Sequence, residues 1–169
     1  MLRNLKIQDA PLMLEWMHDK EVVENLSKNF TDMTIKDCEN FILKNMEIRE
    51  QPQEIHLAIV DLNNEYQGTV SLKEIDYITK SAEFAISIRK KAMGTGIAIE
   101  ATREIFDYGV DNLGIEVMYW CVAPKNKRAV RFYEKNNFAR IDAEKLKWKV
   151  NYSDQEKKMY FWYCIRRQD

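Results

Sequence analysis

Residues 81–138 constrain this chain more than any other stretch. A strand-like run, Ser81 to Arg89, stops at a polar loop, Lys91-Ala92-Met93-Gly94-Thr95-Gly96. The loop opens directly into a helical pattern in which Ile97, Ala98, Ala101, Ile105, Phe106 and Val110 recur up to Leu113-Gly114, where glycine supplies a stop. Small residues let successive backbone N–H groups converge, and a helix N-terminus adds about half a positive charge. The loop therefore reads as an anion site whose natural guest is a diphosphate, with Arg89, Lys90 and Lys91 concentrating positive charge beside it. The competing reading is a plain strand-to-helix turn with solvated lysines. Neither a dinucleotide-binding GxGxxG nor a Walker lysine-serine is present, which argues against dinucleotides and ATP. Val117 to Ala123 is nearly continuous in apolar and aromatic character, as expected of a strand buried on both faces. Asn126 to Lys135 follows as a helix, with Ala129, Val130, Phe132 and Tyr133 spaced toward one face.

The flanking segments supply the rest of a sheet. Leu2 to Ile7 alternates weakly and reads as a first strand. Gln8-Asp9 with Pro11 marks a helix start, since proline suits a first turn where its missing N–H would be unpaired anyway. Leu12, Leu14, Trp16 and Met17 give that helix its apolar content. Thr34 with Asp37 resembles a capping box, and Cys38, Phe41, Ile42, Met46 and Ile48 follow at helical spacing, predicting a second helix over 34–49. His56 to Asp61 and Tyr66 to Ile75 flank Asn63-Asn64 as a hairpin. A turn near Ile78-Thr79-Lys80 leads into the strand at Ser81, and two final strands, over 138–150 and 157–166, meet at Asn151 to Gln155. The order β-α-α-β-β-β-α-β-α-β-β describes an α/β (α+β) chain with one mixed sheet and helices on both faces. At 169 residues, against roughly 150 per domain, one domain over 1–169 is expected, and the five glycines and three prolines form no linker.

Composition closes off several classes of function. With 46% hydrophobic residues a full core is available without disulfides. Cys38, Cys121 and Cys164 are odd in number and far apart, which fits a reducing, cytoplasmic setting. His18 and His56 lie far from every cysteine, so no zinc or other metal is expected. No stretch approaches the ~20 apolar residues of a membrane span, and the Met1-Leu2-Arg3 start lacks a signal-peptide block. An intracellular protein without a membrane partner is the expectation. Twenty-six basic residues almost balance 27 acidic ones, for a net charge of −1, so no global field points to nucleic acid.

The residues from Pro124-Lys125-Asn126 through Ala129 and Tyr133-Glu134 to Asn137-Phe138, taken with the Lys91–Gly96 loop, make the pattern specific. They resemble the GNAT superfamily of acyl-coenzyme A dependent N-acetyltransferases, whose signature is Q/R-x-x-G-x-G/A followed by strand and N-x-x-A/S-x-x-x-Y-E-x-x-G-F. The likeness covers nearly the whole chain in order of elements and is close over Glu83 to Phe138. Lys91 stands where the family prefers Gln or Arg, keeping the charge but losing guanidinium geometry. Asn137 stands where the helix usually ends in glycine, and asparagine tolerates the left-handed conformation such an end needs. The resemblance implies a single mixed, mostly antiparallel sheet of about seven strands flanked by helices, with the fourth and fifth strands splayed. It implies acetyl-coenzyme A as co-substrate. Its pyrophosphate would be held by the backbone of Lys91, Ala92, Met93, Gly94, Thr95 and Gly96, and its pantetheine paired along Ile86 to Ile88 and steadied by Asn126. It casts Tyr133 as the general acid for the departing thiolate, since a phenol of pKa about 10 keeps its proton at neutral pH and the thiol has a pKa near 8.5. Tyr133 as a mere core aromatic is the blander alternative.

A neutral amine must form before attack on the thioester. Glu83 resembles a position from which some relatives direct a carboxylate to the acceptor; Glu74 and His18 are further candidate bases, while Cys121 reads as packing because no histidine is near it. Leu14-Glu15-Trp16-Met17-His18-Asp19 with Glu21-Val22 resembles the opening of the branch containing ribosomal-protein N-terminal, polyamine and nucleotide-amino-sugar acetyltransferases. Trp16, Tyr77, Trp120 and Trp148 are candidates for the wall of an acceptor pocket, most of them expected to be structural. The function expected is direct acetyl transfer to a primary amine of a small metabolite, an amino sugar or polyamine. The alternatives are acetylation of a protein N-terminus and a non-catalytic acyl-coenzyme A sensor. A homodimer rests on the resemblance alone.

Overall fold

The structure, a computed structural model, describes residues 1–26, 28–47, 50–146, 148 and 150–167. Ile48, the last apolar position of the predicted second helix, and Lys147 and Lys149 of the predicted strand over 138–150 lie outside the described residues. Three strands form an antiparallel meander: β2 (Ile55–Val60), β3 (Tyr66–Asp76) and β4 (Ser81–Ile88). The turns between them are made by their sequence. Asp61 Oδ1 accepts from the N–H groups of Asn63 and Glu65, and Asn64 takes a φ of 61°. Asp76 Oδ1 does the same for Ile78 and Thr79, with Lys80 at φ 51°. β1 (Leu2–Asn4) pairs antiparallel on β2.

A parallel pair needs a crossover element, and the sequence supplies one. From β4 the chain runs through α4 (Ile97–Leu113) and returns as β5 (Val117–Val122). β6 (Arg140–Ile141) and β7 (Phe161–Arg166) complete one seven-stranded sheet in the order β1-β2-β3-β4-β5-β7-β6. Among the described residues only β4 and β5 run parallel, and they pair from Ser81–Glu83 against Val117–Tyr119 before parting. The expected mixed, mostly antiparallel sheet with splayed central strands is therefore present.

Strand alternation divides the core between the two faces of the sheet. Leu57 and Ile59 pack with Ala101, Ile105 and Phe106 of α4 and with Val130 and Tyr133 of α5 (Lys127–Lys135). Ala58 and Val60 pack instead with Met13, Trp16 and Met17 of α1 (Ala10–His18) and with Cys38 and Ile42 of α3 (Ile35–Asn45). The predicted capping box starts α3: Thr34 N–H donates to Asp37 Oδ2 at 2.8 Å, and Asp37 N–H returns to Thr34 Oγ1 at 3.3 Å. Gly114 (φ 67°) stops α4, and Asn137 (φ 62°) follows the end of α5 in the left-handed conformation expected of it.

Three expectations are corrected. The second helix ends at Asn45 rather than 49, and an additional short helix, α2 (Lys20–Val23), follows α1 with Asp19 capping Glu21 N–H at 3.0 Å. The strand over 138–150 shrinks to Arg140–Ile141. Its alternation fails because Asp142 turns the chain by accepting from Glu144 N–H at 3.0 Å, and Trp148 then buries against Tyr119 and Trp162. Instead of a bare turn at 151–155, Ser153 and Glu156 form a capping box that starts α6 (Asp154–Lys158), so the last strand begins at Phe161 and not at 157.

Candidate functional site

Once β4 leaves β5, its Phe84–Ile88 stretch pairs with β3 on one edge only, since the parallel ladder ends at Glu83. β3 holds close there because Gly68 faces Ile88; a Cβ at Gly68 would lie 2.3 Å from the Ser87 carbonyl oxygen. A cavity of about 340 Å³ fills the gap. Ile86, Ser87 and Ile88 form one wall, the α4 start at Ala98 and Ile99 a second, and Phe132 and Tyr133 of α5 a third. Met93, Gly94 and Gly96 close one end. Gly94 and Gly96 hold φ of 79° and 91°, with nothing within 4 Å of the space a Cβ would take. Glycine is thus required here by backbone conformation and not by crowding. The loop is tightened by Thr95 Oγ1, which donates to the Ala92 carbonyl at 2.7 Å. The Ile99 N–H turns back to the Gly96 carbonyl at 3.2 Å, while the Ile97 and Ala98 amides have no partner within the helix by geometry, an arrangement suited to an anion.

The positive charge is distributed differently from expectation. Arg89 is buried, donating to both Glu15 oxygens at 2.9 and 2.8 Å, to Glu65 at 2.8 Å and to the Tyr66 carbonyl at 3.1 Å. Lys90 pairs with Glu21 at 2.7 Å and Lys91 with Glu65. Hydrogen bonds from Lys91 first and Arg89 second hold the Glu65 carboxyl down at about 2. The run Arg89-Lys90-Lys91 is therefore neutralised within the protein, a correction to the expected basic patch, and Lys91 does not line the cavity. The cations that do are Arg128 and Lys135. Sequence reasoning missed both; the signal for Arg128 was a cation two residues after Asn126, in the first turn of the motif helix.

Asn126 lines the same cavity while its Oδ1 accepts from Ala129 N–H at 3.1 Å, capping α5. Tyr133 is buried among Trp120, Tyr163 and Phe138, with ring centroids 5.0, 5.2 and 5.9 Å away, and it forms part of the cavity wall. Burial pushes its phenol well above the ordinary value, so it holds its proton at neutral pH. Ala92 is buried beneath the loop.

On the opposite face of the sheet lies a second cavity, of about 240 Å³. Trp16, Phe30 and Phe41 give it aromatic walls, Lys28 and Lys73 bring cations, and His56 and Ser71 reach it from β2 and β3. Ile86 and Ser87 line both cavities. Of the four aromatic candidates only Trp16 is here, its Nε1 donating to the Tyr66 hydroxyl at 3.0 Å. Trp120 and Trp148 are core residues, and the Tyr77 hydroxyl donates to the Pro52 carbonyl at 3.0 Å.

The candidate bases separate. Glu83 sits at the last paired rung of β4 and β5; its Oε1 accepts from Tyr152 at 2.9 Å and lies 3.8 Å from Lys73 Nζ, and it lines neither cavity. Glu74 is on the β3 bulge, bonded by Asn151, away from both. His18 Nε2 contacts the Met33 carbonyl at 2.9 Å at the exposed end of α1. Burial pushes the Cys121 thiol up to about 11, which keeps it protonated and unreactive. His56, considered in the sequence only as a metal ligand, is the titratable ring that reaches the second cavity. Its signal was a histidine directly opposite a serine in a predicted hairpin. Among the described residues no group of three or more His, Cys, Asp or Glu is placed to hold a metal, and no helix is long and apolar enough to cross a membrane.

A strand splayed from its parallel neighbour, beside a glycine loop at a helix start and opposite an asparagine-capped helix carrying a tyrosine, defines the acyl-coenzyme A transferase class. The chain belongs to the acetyltransferase (GNAT) domain family, whose model matches residues 1–139. Spermidine N(1)-acetyltransferase of Escherichia coli K12 is 33% identical over 81 residues, 48% of this chain and 44% of that protein. The chain thus matches the curated relative over about half of that protein's length. The crystal structure of spermidine N-acetyltransferase from Vibrio cholerae in complex with CoA and spermine superposes with a TM-score of 0.75 at 23% identity, covering 98% of this chain and 94% of that one. A dodecameric structure of the Vibrio cholerae enzyme gives 0.68 at 24%, with 98% and 92% covered. At that identity the likeness shows the fold.

Proposed function

We propose that this chain transfers an acetyl group from acetyl-coenzyme A directly to the primary amine of a small metabolite. The observation that carries the reading is the meeting of the two cavities at Ile86–Ser87. A thioester arm laid along the free edge of β4 would present its carbonyl where the second cavity begins, so amine and acyl group converge without an acyl-enzyme. The Gly94–Gly96 turn and α4 N-terminus would take the pyrophosphate, aided by Arg128 and Lys135. The unpaired edge of β4 offers backbone partners to an extended amide chain, as sheet edges do. Tyr133 would give its proton to the sulfur. A thiolate formed in an apolar cavity is itself poorly solvated and strongly basic, which offsets the raised pKa of the phenol.

Polyamine is the acceptor supported by the relatives' names. An amino sugar is the second reading, favoured by one observation: among the described residues the second cavity brings Lys28 and Lys73 but no carboxylate to its wall, and a polycation gains nothing from such a lining. Acetylation of a protein N-terminus would need an open groove for a peptide. The cytoplasmic setting, action of the whole chain as one unit over 1–169, and self-association as a homodimer or larger oligomer belong to the same proposal. Thiol release from acetyl-coenzyme A, measured with spermidine, putrescine, amino sugars and a peptide N-terminus alongside an amine-free control, tests it. Amine-dependent release is expected with a small amine. Release that no amine accelerates would leave a coenzyme A sensor in its place.

A further inference from the structure

His56 occupies an unusual position for a histidine in a sheet. Its side chain is only 8% exposed, yet it lines the second cavity on one side and a cleft of about 530 Å³, walled in part by Lys44 and Glu54, on the other. Its Nδ1 is 2.7 Å from Ser71 Oγ, across the β2–β3 register that pairs the two residues. Its Nε2 is buried without a hydrogen-bond partner among the described residues, and the carboxylate oxygen near it is Glu54 Oε2, at 3.4 Å. The Phe41 ring of α3 packs edge-on at 4.9 Å and fixes the imidazole plane. Ser71 pairs with Ala85 of β4, and both line the cavity beside Ser87. A hydroxyl, an imidazole and a carboxylate thus run in series from the second cavity to the opposite cleft.

We propose that Ser71, His56 and Glu54 form the proton relay that neutralises the acceptor ammonium. The inference rests on the transferase reading above. In this step the ammonium N–H bond breaks and its proton passes to Ser71 Oγ as the Ser71 proton moves to His56 Nδ1. The freed nitrogen lone pair forms the C–N bond, the C–S bond breaks with its electron pair on sulfur, Tyr133 gives its proton to the thiolate, and the second proton lost by the acylated nitrogen restores the Tyr133 phenol. The imidazolium is then opposite Glu54 and gives up its proton to water through the cleft. The groups facing His56 set its readiness. Burial and the cations Lys73 of β3 and Lys44 of α3 lower its pKa, while Glu54 opposes them, leaving a neutral imidazole at physiological pH. A neutral imidazole is a competent base.

The test is kcat/KM for the accepted amine across roughly pH 5 to 10, with acetyl-coenzyme A affinity taken by calorimetry on the same samples. The wild-type profile is expected to level off above an ionisation lying below the ordinary histidine value of about 6.5. In His56→Gln and Ser71→Ala the plateau should become a slope that tracks free amine. The neutral rate should fall by about 10²- to 10⁴-fold and recover at high pH. Glu54→Gln, at a half-exposed side chain, should move the acid limb to lower pH, because it removes the group that raises the pKa of His56. A His56→Gln profile of wild-type shape and within twofold of its height overturns the relay. If that variant has lost acetyl-coenzyme A binding and so its fold, an acid limb unmoved in Glu54→Gln overturns it. A wild-type chain that acetylates no amine overturns the transferase reading itself, an outcome distinct from an active enzyme with indifferent variants.

Discussion

The two cavities that meet on β4 are built by different means. The one on the α4–α5 side is lined mostly from within Ile86 to Asn136, with Val22, Asn25 and Leu26 added from the α2 region, and its critical features are backbone ones: a left-handed Gly94–Gly96 turn, an open helix start and an unpaired strand edge. The one on the α1–α3 side collects Trp16, Phe41, His56, Ser71 and Lys73 from separate elements, and its features are side chains. Backbone geometry tolerates drift in the residues around it. Side-chain chemistry does not, which is why the first cavity answers to a sequence motif and the second does not.

If the division is right, changes on the first side should move acetyl-coenzyme A binding or the chemical step and leave acceptor recognition alone. The largest effect expected is that of Tyr133→Phe, which keeps the ring against Trp120 and Tyr163 but removes the acid. Single-turnover acetylation should slow by about 10²- to 10⁴-fold with acetyl-coenzyme A affinity unchanged. A rate within about twofold, or only 0.4 kcal/mol of barrier, would remove the acid role. Next comes Gly94→Val with Gly96→Val. Nothing crowds either position, so the core should survive, but left-handed φ costs a β-branched residue of order 1–3 kcal/mol. Relaxing that strain means remodelling the loop, and calorimetry should show acetyl-coenzyme A affinity reduced about tenfold or more. An unchanged affinity would break the comparison at its base. The smallest effect sharpens it. Lys91→Ala removes an exposed ammonium already committed to Glu65, and solvent screening leaves such pairs little weight. Affinity should change by less than about threefold, and Arg128→Ala, within the cavity wall, should cost more. The reverse order would return the phosphate role to Lys91.

Much of this was legible in the sequence because local rules carried it. Thr34 and Asp37 announced a helix start, Gly114 and Asn137 announced left-handed helix ends, and Asn126-x-x-Ala129-x-x-x-Tyr133 placed its residues on one helix face whatever the helix packed against. The same locality explains the errors. Arg89 looked like part of a basic patch because its carboxylate partners lie 74 and 24 positions away. The strand expected over 138–150 followed an alternation that Asp142 interrupts, and the capping pair Ser153–Glu156 was present but overlooked.

What the sequence determined by itself is the order of elements, the glycine turn at the head of α4 and the α5 face shared by Asn126, Ala129 and Tyr133, because each depends on residues within a few positions of one another. Tertiary structure alone decided where β4 and β5 part, after Glu83, that Arg128 and not Lys91 reaches the cavity, and that His56 meets Ser71 and Glu54. Those outcomes are set by strand register and by competition among distant charges. One residue of slip along β2 would turn His56 to the other face of the sheet, and no spacing in the chain records which register is chosen.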